Sequence, residues 1–376
     1  MNNENKNEKI NSIEEDFLEG ELQLDLDGLL SVDEPIEIPP TIDASVAVAN
    51  DSNQSPKADL SQEKKKTSTK TRVLVGAIVG CVYLLVMLLT TLVNHFAARI
   101  IFDVFVISAT IVASLEMCRA VSQKFAKPMR IMIIITVAIG FTAFYLTHFV
   151  FSYFRGGEGR TGGITAFFFS VAAMFIVCII VNVFAKRLTM QNVLSTMFVL
   201  VYPTMLGVYM LALNYLEPSY IDPIGISNAA ILLMFMIPAF SDTGAFVIGS
   251  RLKGPKLAPT ISPKKTISGA AGGVFFGLVA GTIVFLFSHF SLLNVGQLNP
   301  YSWGFNLMHF LLLGGFGAVF VILGDLIASY IKRQCGVKDF GSFLPGHGGM
   351  LDRIDSMMLT AAFLFAYFFV LTFFFM

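Results

Sequence analysis

Nine long apolar stretches dominate this sequence, each near or above the roughly 20 residues that a helix needs to cross a bilayer. They cover about 73–93, 100–118, 131–154, 164–184, 193–216, 228–250, 269–290, 305–331 and 356–376. Hydrocarbon offers backbone amides no water to bond, so runs of this length are read as helices. The expectation is an all-α, polytopic integral membrane protein with about nine transmembrane helices. Composition agrees, because only 14% of the 376 residues are charged, against about 25% in an ordinary soluble domain.

The connections alternate in charge, which predicts topology. Basic residues precede the first stretch (Lys64, Lys65, Lys66, Lys70, Arg72) and recur in every second loop. They are Arg119, Lys124, Lys127 and Arg130; Lys186 and Arg187; Arg251, Lys253, Lys256, Lys264 and Lys265; and Lys332, Arg333, Lys338 and Arg353. The intervening loops carry at most Arg99, or Arg155 with Arg160. This places the N-terminus in the cytoplasm and the C-terminus outside, with the two longest basic loops together on the cytoplasmic side.

Of the 26 acidic residues, 16 lie before residue 73, which leaves ten for the rest of the chain. Residues 1–72 are polar, acidic and without a spanning run, so they read as a disordered cytoplasmic tail. Residues 73–192 then read as N-terminal transmembrane helices and 193–376 as a C-terminal transmembrane domain that holds the chemistry. Five of the ten later carboxylates fall between 242 and 355: Asp242, Asp325, Asp339, Asp352 and Asp355. Carboxylates near lipid are costly, so their clustering points to function. The four cysteines, by contrast, show no ligand spacing; the three in apolar stretches read as small hydrophobes, and nothing points to disulfides or a zinc site.

The last basic loop and the stretch feeding it read GDLIASYIKRQCGVKDFGSFLPGHGGMLDRIDS, residues 324–356. Asp325 lies in an otherwise apolar helix, where an ionised carboxylate costs roughly 2.5–3.5 kcal/mol and calls for a cation, lysine or arginine nearby. Asp352 and Asp355, spaced i,i+3, share one face of a helix start and repel unless a metal or Arg353 stands between them. Hard carboxylate oxygens suit Mg²⁺, which binds one or two carboxylates together with phosphate oxygens and water. Gly346, Gly348 and Gly349 around His347 let backbone approach a ligand closely, and a following helix start offers N–H groups to phosphate. Lys332, Arg333 and Lys338 supply the cationic complement. A polar helix break with internally paired charges is the alternative reading. The preceding loop, SDTGAFVIGSRLKGPKLAPTISPKKTISGAAGG (241–273), repeats the ingredients with Asp242, Lys264 and Lys265. Its Gly272 and Gly273 read as helix-packing positions.

The run SYIKRQCGVKDFGSFLPGHGGMLDRID (329–355) resembles the signature of the phosphatidate cytidylyltransferases, with every fixed polar position filled. The D-T-G-A-F and S-P-K-K-T segments match as well. The resemblance covers roughly 195–376 well, and 73–194 only as generic apolar spans. It departs at Ala328, where the family often has Glu, and at Ile267, Ser268 and Gly269, where it tends to have W-E-G. The resemblance implies transfer of a cytidylyl group from CTP to phosphatidic acid at the cytoplasmic membrane face. It implies Asp325 and Asp352 as Mg²⁺ ligands, with Asp355 and Asp242 as further ligands or their supports, and leaves a second monovalent or divalent cation open. Lys264, Lys265, Lys332, Arg333 and Lys338 would bind phosphates, with Ser262 and Arg353 beside them. His347, Gly348 and Gly349 would line the nucleotide phosphates. Asp339 would orient Lys338 or Arg333, and Ser329 would support the site. A homodimer in the cell membrane is implied, and no nucleic-acid partner. An ion-coupled transporter using Asp242 and Asp325 is the rival class. A CDP-alcohol phosphotransferase is disfavoured, because its D-G-x-x-A-R pattern is absent.

Overall fold

The computed structural model describes residues 96–155, 162–185, 189–216, 225–298, 302–343 and 348–375, with isolated positions 81, 85 and 88. The acidic tail and nearly all of the first apolar stretch lie outside the described residues. In chain order the elements are α1 (Phe96–Val121), α2 (Arg130–Arg155), α3 (Gly162–Ala185) and α4 (Met190–Val199). A π-helical turn (Leu200–Met205) follows, then α5 (Leu206–Ala212), α6 (Gly225–Leu252), β1 (Lys256–Ala258), β2 (Ser262–Thr266), α7 (Ile267–His289), α8 (Trp303–Gln334) and α9 (Leu351–Phe375).

Among the described residues, seven helices are long and apolar enough to cross a membrane, and the chain is a helical integral membrane protein. These are Arg99–Val121, Arg130–Thr147, Met190–Tyr215, Gly225–Leu252, Ile267–His289, Trp303–Gln334 and Leu351–Leu371. Each coincides with an expected stretch. The expected stretch 164–184 folds as α3, whose described apolar run is Phe168–Val177. With 32 residues, α8 is about 48 Å long, well beyond a hydrocarbon core of about 30 Å. Lys332 and Arg333 lie in its last turn.

The all-helical expectation has one exception. Residues Ser262–Thr266, read from sequence as part of a loop, form a strand paired antiparallel with Lys256–Ala258, with Lys256 opposite Thr266 and Ala258 opposite Ser262. The cause is local. Lys253 ends α6 at a φ of 45°, and Pro255, Pro259 and Pro263 forbid a new helix before Thr266. Thr266 then caps α7, its hydroxyl accepting from the Gly269 amide at 3.1 Å.

The helices α6, α7 and α8 pack backbone against backbone. Gly269, Gly273, Gly277 and Gly281 recur every fourth residue along α7 and are joined by Gly272, as small-residue packing in membranes requires. A β-carbon on Gly272 would stand 2.6 Å from that of Ile248, and one on Gly273 would stand 2.9 Å from the Ser241 hydroxyl. Both are packing positions, as expected. A β-carbon on Gly281 would meet the Phe310 carbonyl oxygen at 2.2 Å. That obstacle is backbone and cannot yield. Gly281→Val is therefore expected to destabilise the protein by roughly 3 kcal/mol, read as a lower thermal midpoint in detergent. Gly304→Val, with nothing within 4 Å of the added carbon, should leave the midpoint in place.

Polar contacts tie α1 to the Met190–Tyr215 span. The Ser114 and Thr204 hydroxyls lie 2.8 Å apart between α1 and the π turn. Near the other end of α1, Asp103 accepts from Asn214 Nδ2 at 2.8 Å and from the Tyr215 hydroxyl. Together they hold α1 alongside the Met190–Tyr215 span.

Candidate active site

Four elements converge where α6, α8 and the β-hairpin meet. On α6, Asp242 lies ten residues before the helix end and opens onto a cavity of about 400 Å³. Ser241, Lys264, Lys265, Thr266 and Asp325 line the same cavity. On β2 the two lysines are adjacent, and Lys265 forms an ion pair with Asp325 of α8. Both partners are about one-third exposed (27% and 34%), so the pair is open to exchange its partner for a bound ligand.

The second half of the site is built at the start of α9. Asp352 Oδ1 accepts from Lys332 Nζ at 3.0 Å, and this pair is well buried, at 14% and 8% exposure. Asp352 Oδ2 accepts from the Phe340 amide at 2.9 Å and the Gly349 amide at 3.0 Å. Its carboxylate thus gathers both ends of the intervening loop. The Lys332 ammonium also lies 5.3 Å from the centre of the Phe340 ring, a cation–π contact.

Asp355 is buried one turn further along α9, and its Oδ1 accepts from the Ser356 amide at 2.7 Å. Gly324 permits its approach to α8. A β-carbon there would lie 3.0 Å from Ser356 Cα and 3.1 Å from the Asp355 carbonyl oxygen. Asp355 and Asp325 therefore sit side by side across the α8–α9 contact.

The expected residues thus fall into groups. Asp242, Lys264, Lys265 and Asp325 share one cavity, and Lys332, Asp352 and Asp355 adjoin it through α8 and α9. Ser262 opens the hairpin strand and Ser329 lies one turn after Asp325 on α8, both half-buried. Arg333, Lys338, Asp339 and Arg353 are exposed. The cation on Asp352 is Lys332 rather than the adjacent Arg353. Asp339 makes no ion pair with Lys338 or Arg333 among the described residues; its β-carbon stands beside Gly348 instead. His347 lies outside the described residues. Gly348 adopts a φ of 86°, a left-handed conformation that favours glycine, with Asp352 against it.

Sequence reasoning missed three site groups. Glu116 on α1 is buried and its Oε2 accepts from the Leu351 amide at 2.9 Å, at the first turn of α9. Tyr202, on the π turn, has a buried hydroxyl with no hydrogen-bond partner among the described residues, in the electrostatic field of Asp355, Asp325 and Asp352. Ser241 Oγ is likewise buried without a partner among them, next to Asp242. A signal for Tyr202 was present in Pro203, which interrupts an apolar run where π-helical irregularity tends to mark function. Cys335 is buried, which pushes its thiol up and away from the reactive thiolate.

An apolar cavity of about 400 Å³ lies on the other side of α8, lined by Phe125, Leu194, Phe198, Tyr330 and Ile331 among others. Ile331 directly precedes Lys332, and Phe198 stacks on Tyr202 with ring centres 6.4 Å apart. The apolar cavity and the charged site therefore share a wall.

No three His, Cys, Asp or Glu side chains converge as a ready-made cage among the described residues. The donor set is nonetheless one that suits a hard cation: carboxylates on one cavity, with no thiolate or imidazole, leaving the remaining positions to phosphate and water. Asp325 is paired with Lys265 and Asp352 with Lys332.

Residues 70–371 match the model of the cytidylyltransferase family, and the chain belongs to that family. Among curated relatives, a protein of Brucella suis biovar 1 (strain 1330) is 38% identical over 146 residues, covering 39% of this chain and 48% of the relative. A Bacillus subtilis (strain 168) protein is 42% identical over 125 residues, covering 33% and 42% respectively. A Staphylococcus aureus (strain COL) protein is 44% identical over 128 residues, covering 34% and 44%. All three are named phosphatidate cytidylyltransferase. The chain spans less than half the length of each of these relatives in the match.

Proposed function

We propose that this protein transfers the cytidylyl group of CTP to phosphatidic acid, giving CDP-diacylglycerol and pyrophosphate. The observation that carries this reading is the single cavity on which Asp242, Lys264, Lys265 and Asp325 converge. The names of the relatives support it. A phosphate monoester has a second pKa near ~6 and is largely dianionic at neutral pH, so the lipid phosphate is already a nucleophile. One of its oxygens bonds to the α-phosphorus of CTP while the bond from that phosphorus to the bridging oxygen breaks. The electron pair leaves with pyrophosphate. No strong general base is needed. The work of the site is to hold two polyanions together and to neutralise the charge that develops.

Asp325 and Asp352 would hold Mg²⁺, with Asp355 and Asp242 as further ligands or supports and space for a second monovalent or divalent cation. The ion supplies charge neutralisation on the phosphate oxygens. Lys265 and Lys332, when no longer balancing those aspartates, would turn to phosphate together with Lys264, Arg333 and Lys338. Ser262, Arg353, His347, Gly348 and Gly349 complete the phosphate-binding set in this reading, and Asp339 and Ser329 support it. The apolar cavity bounded by Phe198 and Ile331 offers room for an acyl chain whose head group reaches Lys332. The positive-inside alternation supports a cytoplasmic N-terminus and a site facing the cytoplasm of the cell membrane, where CTP is available. A homodimer is part of this reading; a nucleic-acid partner is not.

The test is turnover by the purified chain in vesicles that contain phosphatidate. CTP should be consumed with release of pyrophosphate, and activity should disappear with EDTA and return with Mg²⁺. Solute or ion flux without CTP consumption would replace this reading with that of a transporter.

A further inference from the structure

We propose that Glu116 is a positioning residue of the cytidylyl-transfer site, a clamp that holds the neck of the loop between Gly341 and Gly349 and the first turn of α9. This rests on the function proposed above. Glu116 lies on α1, upstream of the segment that carries the signature, and is 2% exposed. A carboxylate in a spanning helix is costly, and here one of its oxygens, Oε1, is buried without a hydrogen-bond donor among the described residues. Stability alone would favour an apolar side chain. The residue's contacts show what it does instead.

Its Oε2 accepts from the Leu351 amide at 2.9 Å. The residue that precedes α9 is Met350, which has no side chain able to cap a helix. Glu116 supplies the missing cap from 235 positions away, and its negative charge suits the positive end of the helix. The same carboxylate is wedged against both ends of the loop. A β-carbon on Gly341 would lie 2.2 Å from Oε1, and one on Gly349 would lie 2.4 Å from Oε2. An added β-carbon at either position would push the Glu116 carboxylate out of its place.

Asp352 takes hold of the same two ends through the Phe340 and Gly349 amides. Two carboxylates therefore grip one loop neck, one from α1 and one from α9. The α1 carboxylate is the one free of any ion pair within 4.0 Å among the described residues. It sets where the first turn of α9 begins, and hence where Asp352 and Asp355 stand against α8. The lack of a β-carbon at Gly341 and Gly349 leaves room for this internal clamp.

The test uses the full chain in lipid nanodiscs. Glu116→Ala and the shorter Glu116→Asp should each lower kcat by about 100-fold, with the KM for CTP changed less than about threefold and the thermal midpoint unmoved. Glu116→Gln keeps the reach and an acceptor oxygen, and should stay within about tenfold of wild type. Gly341→Ala should be as damaging as Glu116→Ala. The double variant Glu116→Ala/Gly341→Ala should be no worse than Glu116→Ala alone, because the clash leaves with the carboxylate. Wild-type kcat in Glu116→Ala, or losses that multiply in the double variant, would overturn the proposal. If the wild-type chain makes no lipid product, the functional reading fails, and hydrogen exchange then decides the clamp separately. Glu116→Ala should speed exchange at the Phe340, Gly349 and Leu351 amides; unchanged exchange there would refute it.

Discussion

Asp325→Ala is expected to lower CTP turnover by about 1000-fold while leaving the fold almost untouched. The two halves of that expectation come from one ion pair. Lys265 and Asp325 are both about one-third exposed, and pairs in such surroundings contribute about 0–1 kcal/mol. Losing the carboxylate therefore costs little stability, and the thermal midpoint should move by no more than a few degrees. The cavity, however, loses the group that stands opposite Asp242 and that adjoins Asp355 across the Gly324 contact. Asp325→Asn, equal in shape but without charge, should be as inactive as the alanine variant. Activity within tenfold of wild type in either variant would remove Asp325 from the chemistry.

Lys332→Met is expected to fail in a different way, losing stability and activity together. Its partner Asp352 is 8% exposed and already binds two loop amides. Removing one member of a buried pair leaves the other charge uncompensated, at a cost of roughly 3–5 kcal/mol. The midpoint should fall clearly, and the loop that begins at Phe340 should become sensitive to protease. Lys332→Arg should not restore wild-type behaviour, because a planar fork does not reproduce a point charge held both at Asp352 Oδ1 and over the Phe340 ring. The double variant Lys332→Met/Asp352→Asn should recover part of the stability and none of the turnover. A midpoint unchanged in Lys332→Met would show that the pair is not buried in the working protein.

Much of this architecture was legible in the sequence, for physical reasons. Spans are set by bilayer thickness, so the apolar runs that became α6, α7, α8 and α9 were found within a few residues of their ends. The four-residue spacing of Gly269, Gly273, Gly277 and Gly281 is a local signal, and helix packing uses it directly. Asp242, Asp325, Asp352 and Asp355 stood out because charge is scarce in an apolar chain.

What sequence could not supply was the third dimension. Glu116 lies 235 positions from the amide it caps, inside a stretch that resembles any other span. Tyr202 gains its meaning only when the π turn brings it near α9. The pairing of Asp352 with Lys332 rather than Arg353 follows from the way α8, with Lys332 in its last turn, packs on α9, which hydropathy does not report. The strand Ser262–Thr266 was hidden because its short run of Pro and Lys carries no β pattern. Three prolines leave extended chain as the remaining choice.

The most direct measurement follows the phosphorus atoms. The purified chain in phosphatidate vesicles, given CTP labelled at either its α- or its γ-phosphate, should place the α-label in an organic-soluble CDP-lipid. The γ-label should leave entirely as pyrophosphate. A γ-label found in the lipid, or no label in lipid from either position with Mg²⁺ present, would contradict the account that this cavity transfers a cytidylyl group.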